Sequence, residues 1–154
     1  MLRLLDQHVK QNVGPIDILW WSLGGIMARL LALHHPARVR QAISLGSPIR
    51  VEDPHANLSE SVRRLSQLAG LQRGRRGHDL TEVPVPSTVI YSRQDGVVAA
   101  ASCLQPMGPT SENIEVRGAH IGLGHNPAVV WAVADRLAQR TGEDRKSTRL
   151  NSSH

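Results

Sequence analysis

Short apolar runs alternate along this chain with stretches whose apolar residues recur at helical spacing. Leu2, Leu4, Leu5 and Val9 with polar residues between them predict an amphipathic helix, closed by Val13-Gly14-Pro15. Ile16–Leu19 reads as a buried strand. Ile26, Leu30, Leu31 and Leu33 then mark a helix over Leu23–His35, which Pro36 ends. Gln41–Leu45 is the next strand and stops at Gly46-Ser47-Pro48. Leu58, Val62, Leu65 and Leu68 predict a helix over Asn57–Ala69. Ser87–Tyr91 is a third strand, entered through Pro84 and Pro86, and Val97–Leu104 is expected to be helical. Asn113–Val116 is a fourth strand. Asn126 and Pro127 form an N-cap and N1 pair for a last helix over Ala128–Arg140, with Val130, Val133, Ala134 and Leu137 as its expected core stripe.

Strands alternating with helices predict an α/β fold: a mostly parallel sheet flanked by helices. The stretch over residues 50–82 is far longer than an ordinary connection and carries a helix of its own. An insertion of that length is expected to act as a cap over a site.

The junction Trp20-Trp21-Ser22-Leu23-Gly24-Gly25 carries the chemistry. A serine between a strand and a helix, with glycines two and three residues on, has the pattern of a nucleophile elbow, Gly-x-Ser-x-Gly. The sharp turn lifts the Ser22 hydroxyl above the sheet. It also aims the Leu23 backbone N–H at the place where a tetrahedral oxyanion would form. Gly24 is expected to let the helix pass close to the strand. Trp20 stands where the motif has its first glycine, and the bulky indole is expected to distort the turn.

In a parallel α/β sheet, functional groups sit on loops after the carboxyl ends of strands. That rule selects Asp95 in Ser92-Arg93-Gln94-Asp95-Gly96 and His120 in Arg117-Gly118-Ala119-His120. A serine hydroxyl needs a base to become a nucleophile, which His120 would supply. Asp95 would hold the imidazole tautomer and stabilise the imidazolium. His125 is the competing base, but it precedes the Asn126 cap and so belongs to a helix start. His34 and His35 end a helix, where histidine suits the dipole. His55 and His78 fall in the insertion. Ser47 follows a strand without elbow glycines and reads as a turn residue, and Asp17 lies inside a strand.

The chain order Ser, Asp, His is that of an α/β-hydrolase. Four stretches resemble the C-terminal part of a bacterial member of that superfamily, close to lipases and esterases: residues 21–29, 39–48, 90–98 and 117–120 with 122–127. The resemblance implies Ser22 as nucleophile, Asp95 as acid and His120 as base of a hydrolase cleaving carboxylic esters, with no cofactor. The substrate would be a small-molecule or lipid ester. The alternative is a non-catalytic scaffold of the same fold that serves in binding, its elbow spoiled by Trp20. The resemblance also implies further strands, and a loop with the second oxyanion donor, upstream of Met1. The 154-residue chain is therefore expected to be an inactive fragment.

Composition narrows the partners. The formal charge of +5 comes with 16 Arg and two Lys. The run Arg73-Gly74-Arg75-Arg76 is its only dense basic patch. It has no aromatic interleaving, so nucleic-acid binding is not expected. Cys103 is the single cysteine and the eight histidines have no metal-ligand spacing, so no metal site is expected. No segment is long and apolar enough for a membrane anchor. No signal peptide is recognisable, which leaves a cytoplasmic location as the default. Residues 144–154, Asp-Arg-Lys-Ser-Thr-Arg-Leu-Asn-Ser-Ser-His, match the one-frame translation of a common sequencing adapter. They are expected to be an artefactual tail, leaving 1–143 as the domain.

Overall fold

The computed structural model describes Gln7, Gln11 and residues 14–50 and 80–139. Four strands form one parallel sheet in the order β1-β2-β3-β4. They are β1 Ile16–Trp21, β2 Val39–Leu45, β3 Ser87–Tyr91 and β4 Ser111–Glu115. Helix α1 spans Gly24–His34, α2 Ala100–Cys103 and α3 Pro127–Ala138. Short 3₁₀ turns cover Pro36–Arg38 and Ile121–His125.

The sheet is covered on both faces at its centre, so β2 and β3 are buried almost throughout. Side-chain alternation sends successive residues to opposite faces. On one face Ile18, Ala42 and Val39 pack with Ala28, Leu31 and Ala32 of α1. On the other, Ile43, Leu45, Ile90 and Ile114 pack with Leu123 and with Val129 and Ala132 of α3. A third cluster joins Val89 and Tyr91 to Ile49, Val98 and Cys103 beside α2.

Helix α3 starts as expected. The Asn126 side chain accepts a hydrogen bond from the Ala128 N–H, and Pro127 fills the first turn, where a missing N–H costs nothing. Its buried face differs from the expected stripe. Val129, Ala132 and Arg136 are buried, whereas Val130, Ala134 and Leu137 are exposed. Arg136 lies on the buried face, where its guanidinium reaches across the sheet face to pair with Glu112 of β4. Val129 and Ala132, in step with Arg136, share that inward face, and Val133 of the expected stripe packs partly buried against the same cluster. The expected helix over Val97–Leu104 is also shorter. Residues 97 and 98 donate their backbone N–H groups to Asp95, so α2 begins only at Ala100. The expected strand Ile16–Leu19 runs on through Trp20 and Trp21, and β4 starts two residues before Asn113.

The register places every carboxyl end at one edge. Trp21 stands opposite Leu45, Leu45 opposite Ile90, and Tyr91 opposite Glu115. Continuing each strand by one residue brings Ser22, Gly46, Ser92 and Val116 to that edge. Backbone hydrogen bonds tie these extensions together. The Ser22 N–H donates to the Leu45 carbonyl at 2.8 Å, Gly46 N–H to Ile90 at 2.9 Å and Val116 N–H to Tyr91 at 2.9 Å.

The expected helix over Asn57–Ala69, most of the cap-like stretch 50–82 and the tail 144–154 lie outside the described residues, as do His55, His78 and Arg73–Arg76. Of the expected N-terminal helix, Gln7 and Gln11 are described and are helical. The close of the long stretch is anchored from below. The buried Arg29 of α1 donates to the carbonyls of Leu80 and Thr81, the second at 2.9 Å, and to Gln105 Oε1 at 2.6 Å. Among the described residues no helix is long and apolar enough to cross a membrane.

Candidate active site

Ser22 sits at the tip of the turn between β1 and α1 with φ of 55°, the only described non-glycine residue with positive φ. A left-handed serine is strained and persists only where its surroundings fix it. Here the bond to Leu45 fixes one side. On the other, the first turn of α1 closes over it: Gly25 N–H donates to the Ser22 carbonyl at 3.1 Å and Ile26 N–H to the Leu23 carbonyl at 3.2 Å. Leu23 is the N-cap of α1, so its amide belongs to the set of helix-start donors that favour an anion.

Two glycines let the elbow form. A Cβ on Gly25 would collide with the Ser47 side chain and come within 3.1 Å of Ser44 Cβ, so it is Gly25 that lets α1 approach β2. A Cβ on Gly24 would collide with the Trp20 indole. The expected distortion by Trp20 is therefore absent: the ring lies in the space that Gly24 leaves free, packed on the α1 side of the sheet.

The three strand-end candidates meet. His120 Nε2 lies 2.9 Å from Ser22 Oγ, and His120 Nδ1 lies 2.6 Å from Asp95 Oδ2. The Asp95 side chain is 1% exposed and that of His120 8%, so the pair is withdrawn from water. Asp95 is held through both oxygens. Oδ1 accepts the N–H groups of Val97 at 2.8 Å and Val98 at 2.9 Å, which leaves Oδ2 for the imidazole. A carboxylate at Oδ2 accepts from Nδ1–H. In a neutral imidazole that bond puts Nε2 opposite the serine hydroxyl as an acceptor. The Trp21 indole packs on the imidazole, with ring centroids 5.4 Å apart and planes tilted by 32°.

The other candidates fall elsewhere. His125 is exposed at the end of the 3₁₀ turn. His34 Nδ1 bonds the Leu30 carbonyl within its own helix. The Ser47 hydroxyl is buried and donates to the Leu45 carbonyl. Asp17 pairs with Arg40 on the strand's outer side. Burial pushes the Cys103 thiol up to about 12, with Asp95 adding to the shift, so no second nucleophile arises there. Among the described residues no group of three or more His, Cys, Asp or Glu side chains could hold a metal ion.

Two contributors were not legible as site residues. Gly46 has φ of 51°, and a Cβ there would lie 2.8 Å from Leu123 Cδ1, 3.0 Å from Asp95 Oδ2 and 3.3 Å from His120 Nδ1. Its place just after a strand end was the available signal. Asn126, read only as a helix cap, also donates from Nδ2 to the Arg117 carbonyl at 2.6 Å and so holds the start of the loop carrying His120.

No protein-family model and no curated protein sequence matches the chain. Solved structures do. An α/β hydrolase enzyme from a sediment metagenome of the Mar Chica lagoon, Morocco, superposes with a TM-score of 0.60 at 19% identity over 88% of this chain and 67% of its own. The chain has the α/β-hydrolase fold. A serine hydrolase involved in carbazole degradation gives a TM-score of 0.61 at 17% identity, covering 90% of this chain and 70% of that one. The enol-lactonase from Burkholderia xenovorans gives 0.59 at 13%, covering 89% and 71%. The expected fold class is thus the observed one, a parallel sheet flanked by helices.

Proposed function

We propose that this α/β-hydrolase fold carries a serine hydrolase site for carboxylic esters, small-molecule or lipid. The observation that supports this reading best is the unbroken line Ser22 Oγ, His120 Nε2, His120 Nδ1, Asp95 Oδ2, with gaps of 2.9 and 2.6 Å.

In the first step His120 Nε2 takes the Ser22 proton as Oγ attacks the ester carbonyl. The carbonyl π pair moves to oxygen, and the Leu23 N–H is the donor proposed to face it. The imidazolium so formed is stabilised by Asp95, which stays ionised. The Trp21 ring face adds attraction for a cation at that distance. The C–O bond then breaks, and the alkoxide leaves with the proton from Nε2. Water, deprotonated by the same nitrogen, attacks the acyl-serine and releases the acid. Oδ1 of Asp95 stays bonded to two backbone N–H groups, so the carboxylate keeps its orientation through both half-reactions.

Incubation with p-nitrophenyl acetate and quenching in acid tests the reading. The test reads a single acylation event and not steady turnover, which is expected to be negligible: the expected result is an acetyl group on the peptide containing Ser22, absent from Ser22→Ala. Acetylation confined to other residues overturns it.

A further inference from the structure

Both the acid and the base sit on loops, and one buried atom bonds both loops. Ser92 follows β3 directly and is 1% exposed. Its Oγ accepts the Gln94 N–H at 3.0 Å and the Gly118 N–H at 3.2 Å. Gln94 is next to Asp95, and Gly118 is two residues before His120. The Ser92 carbonyl also accepts the Asp95 N–H at 3.3 Å.

We propose that Ser92 is a positioning residue that locks the acid loop to the base loop and so sets the His120–Asp95 distance. This rests on the reading of Ser22, His120 and Asp95 as a catalytic unit. Two loops from different strands each point a backbone donor at the same buried hydroxyl. Removing the hydroxyl takes away the one acceptor the two donors share: each N–H can then be met only separately, by water, and the link between the loops is lost. Parting by about 1 Å costs about a hundredfold in a reaction that depends on alignment. Asn126 holds Arg117, at the far side of Gly118, and so restricts where the base loop can go. The Ser92 bond adds a restraint that acts on the two loops directly, beside those on the His120 and Asp95 side chains themselves.

The test compares the full chain with Ser92→Ala, Ser92→Cys and Ser92→Thr. Two signals are read: the rate at which a fluorophosphonate labels Ser22, and the downfield proton NMR signal of His120 Nδ1–H. Thr keeps the acceptor and should label within a few-fold of wild type with the proton signal intact. Ala should label about ten to a hundredfold more slowly, with that signal lost to exchange. Cys fills the volume with a weak acceptor and should fall between them, which keeps the comparison available if Ala fails to fold. Ala or Cys labelling as fast as Thr, with the Nδ1 proton retained, overturns the role of Ser92 and leaves the functional reading standing. A wild-type chain that never labels at Ser22 overturns both.

Discussion

The Asp95–His120 half of the proposed site and the Ser22 half are built differently. Asp95 and His120 come from loops after β3 and beside β4, with side chains 1% and 8% exposed and a hydrogen bond on every heteroatom of the pair. Ser22 comes from β1, where Leu19 is 44% and Trp21 43% exposed on the face that α3 covers elsewhere in the sheet. Buried, fully satisfied groups hold their geometry because every departure breaks a bond that water cannot replace. A strand with one open face has no such restraint on that side. The elbow compensates locally, through the Leu45 bond and the close fit of Gly24 against Trp20 and Gly25 against Ser47. The difference teaches that Ser22 is fixed by its turn, whereas Asp95 and His120 are fixed by buried, mutually satisfied hydrogen bonds.

The largest effect should come from the acid. Asp95→Asn keeps the shape but presents an amide to Nδ1, so the wrong tautomer faces Ser22. By analogy with triads in general, the rate should fall on the order of 10⁴-fold with little change in thermal stability. A loss of only a few-fold would mean that the Asp95–His120 half does not act on Ser22.

Next comes the core beneath that half. Ile90 is fully buried between β3 and α3, and Ile90→Ala should cost about 2–5 kcal/mol by chemical denaturation. Leu19→Ala on the open face should cost within about 0.5 kcal/mol, as for an exposed surface residue. Equal losses at the two positions would erase the contrast between core and edge.

Gly46→Ala tests the contact with the pair more finely. The new methyl must stand near Asp95 Oδ2 and His120 Nδ1 in a backbone conformation that L residues rarely adopt. Labelling of Ser22 should slow by about a hundredfold. An unchanged rate would show that the pair can shift without loss. The smallest effect is expected at Trp20. Since the indole already fits against Gly24, Trp20→Gly should alter labelling by no more than a few-fold. A large gain would restore the steric argument made from the motif.

Much of this was legible in the sequence. The four strands follow from apolar runs closed by Gly, Pro and Ser clusters, and the strand-end rule alone picked Asp95 and His120 to join Ser22. What the sequence concealed depends on partners distant along the chain. The buried face of α3 includes Arg136, which meets Glu112 in a polar contact that hydrophobic spacing does not register. The late start of α2 follows from Asp95 drawing the Val97 and Val98 amides to itself. The tolerance of Trp20 depends on a void that exists because Gly24 lacks a side chain. Ser92 and Gly46 carried no signal beyond their place at strand ends, because only the assembled sheet edge brings Gly46 against Asp95 and His120 and the Ser92 hydroxyl between their two loops.

The most direct measurement is site-resolved labelling by a fluorophosphonate, followed by intact mass and peptide mapping. The account predicts one adduct per chain, on Ser22, absent from Ser22→Ala and strongly slowed in His120→Ala. An adduct elsewhere, or a His120→Ala chain that labels Ser22 at the wild-type rate, would contradict it.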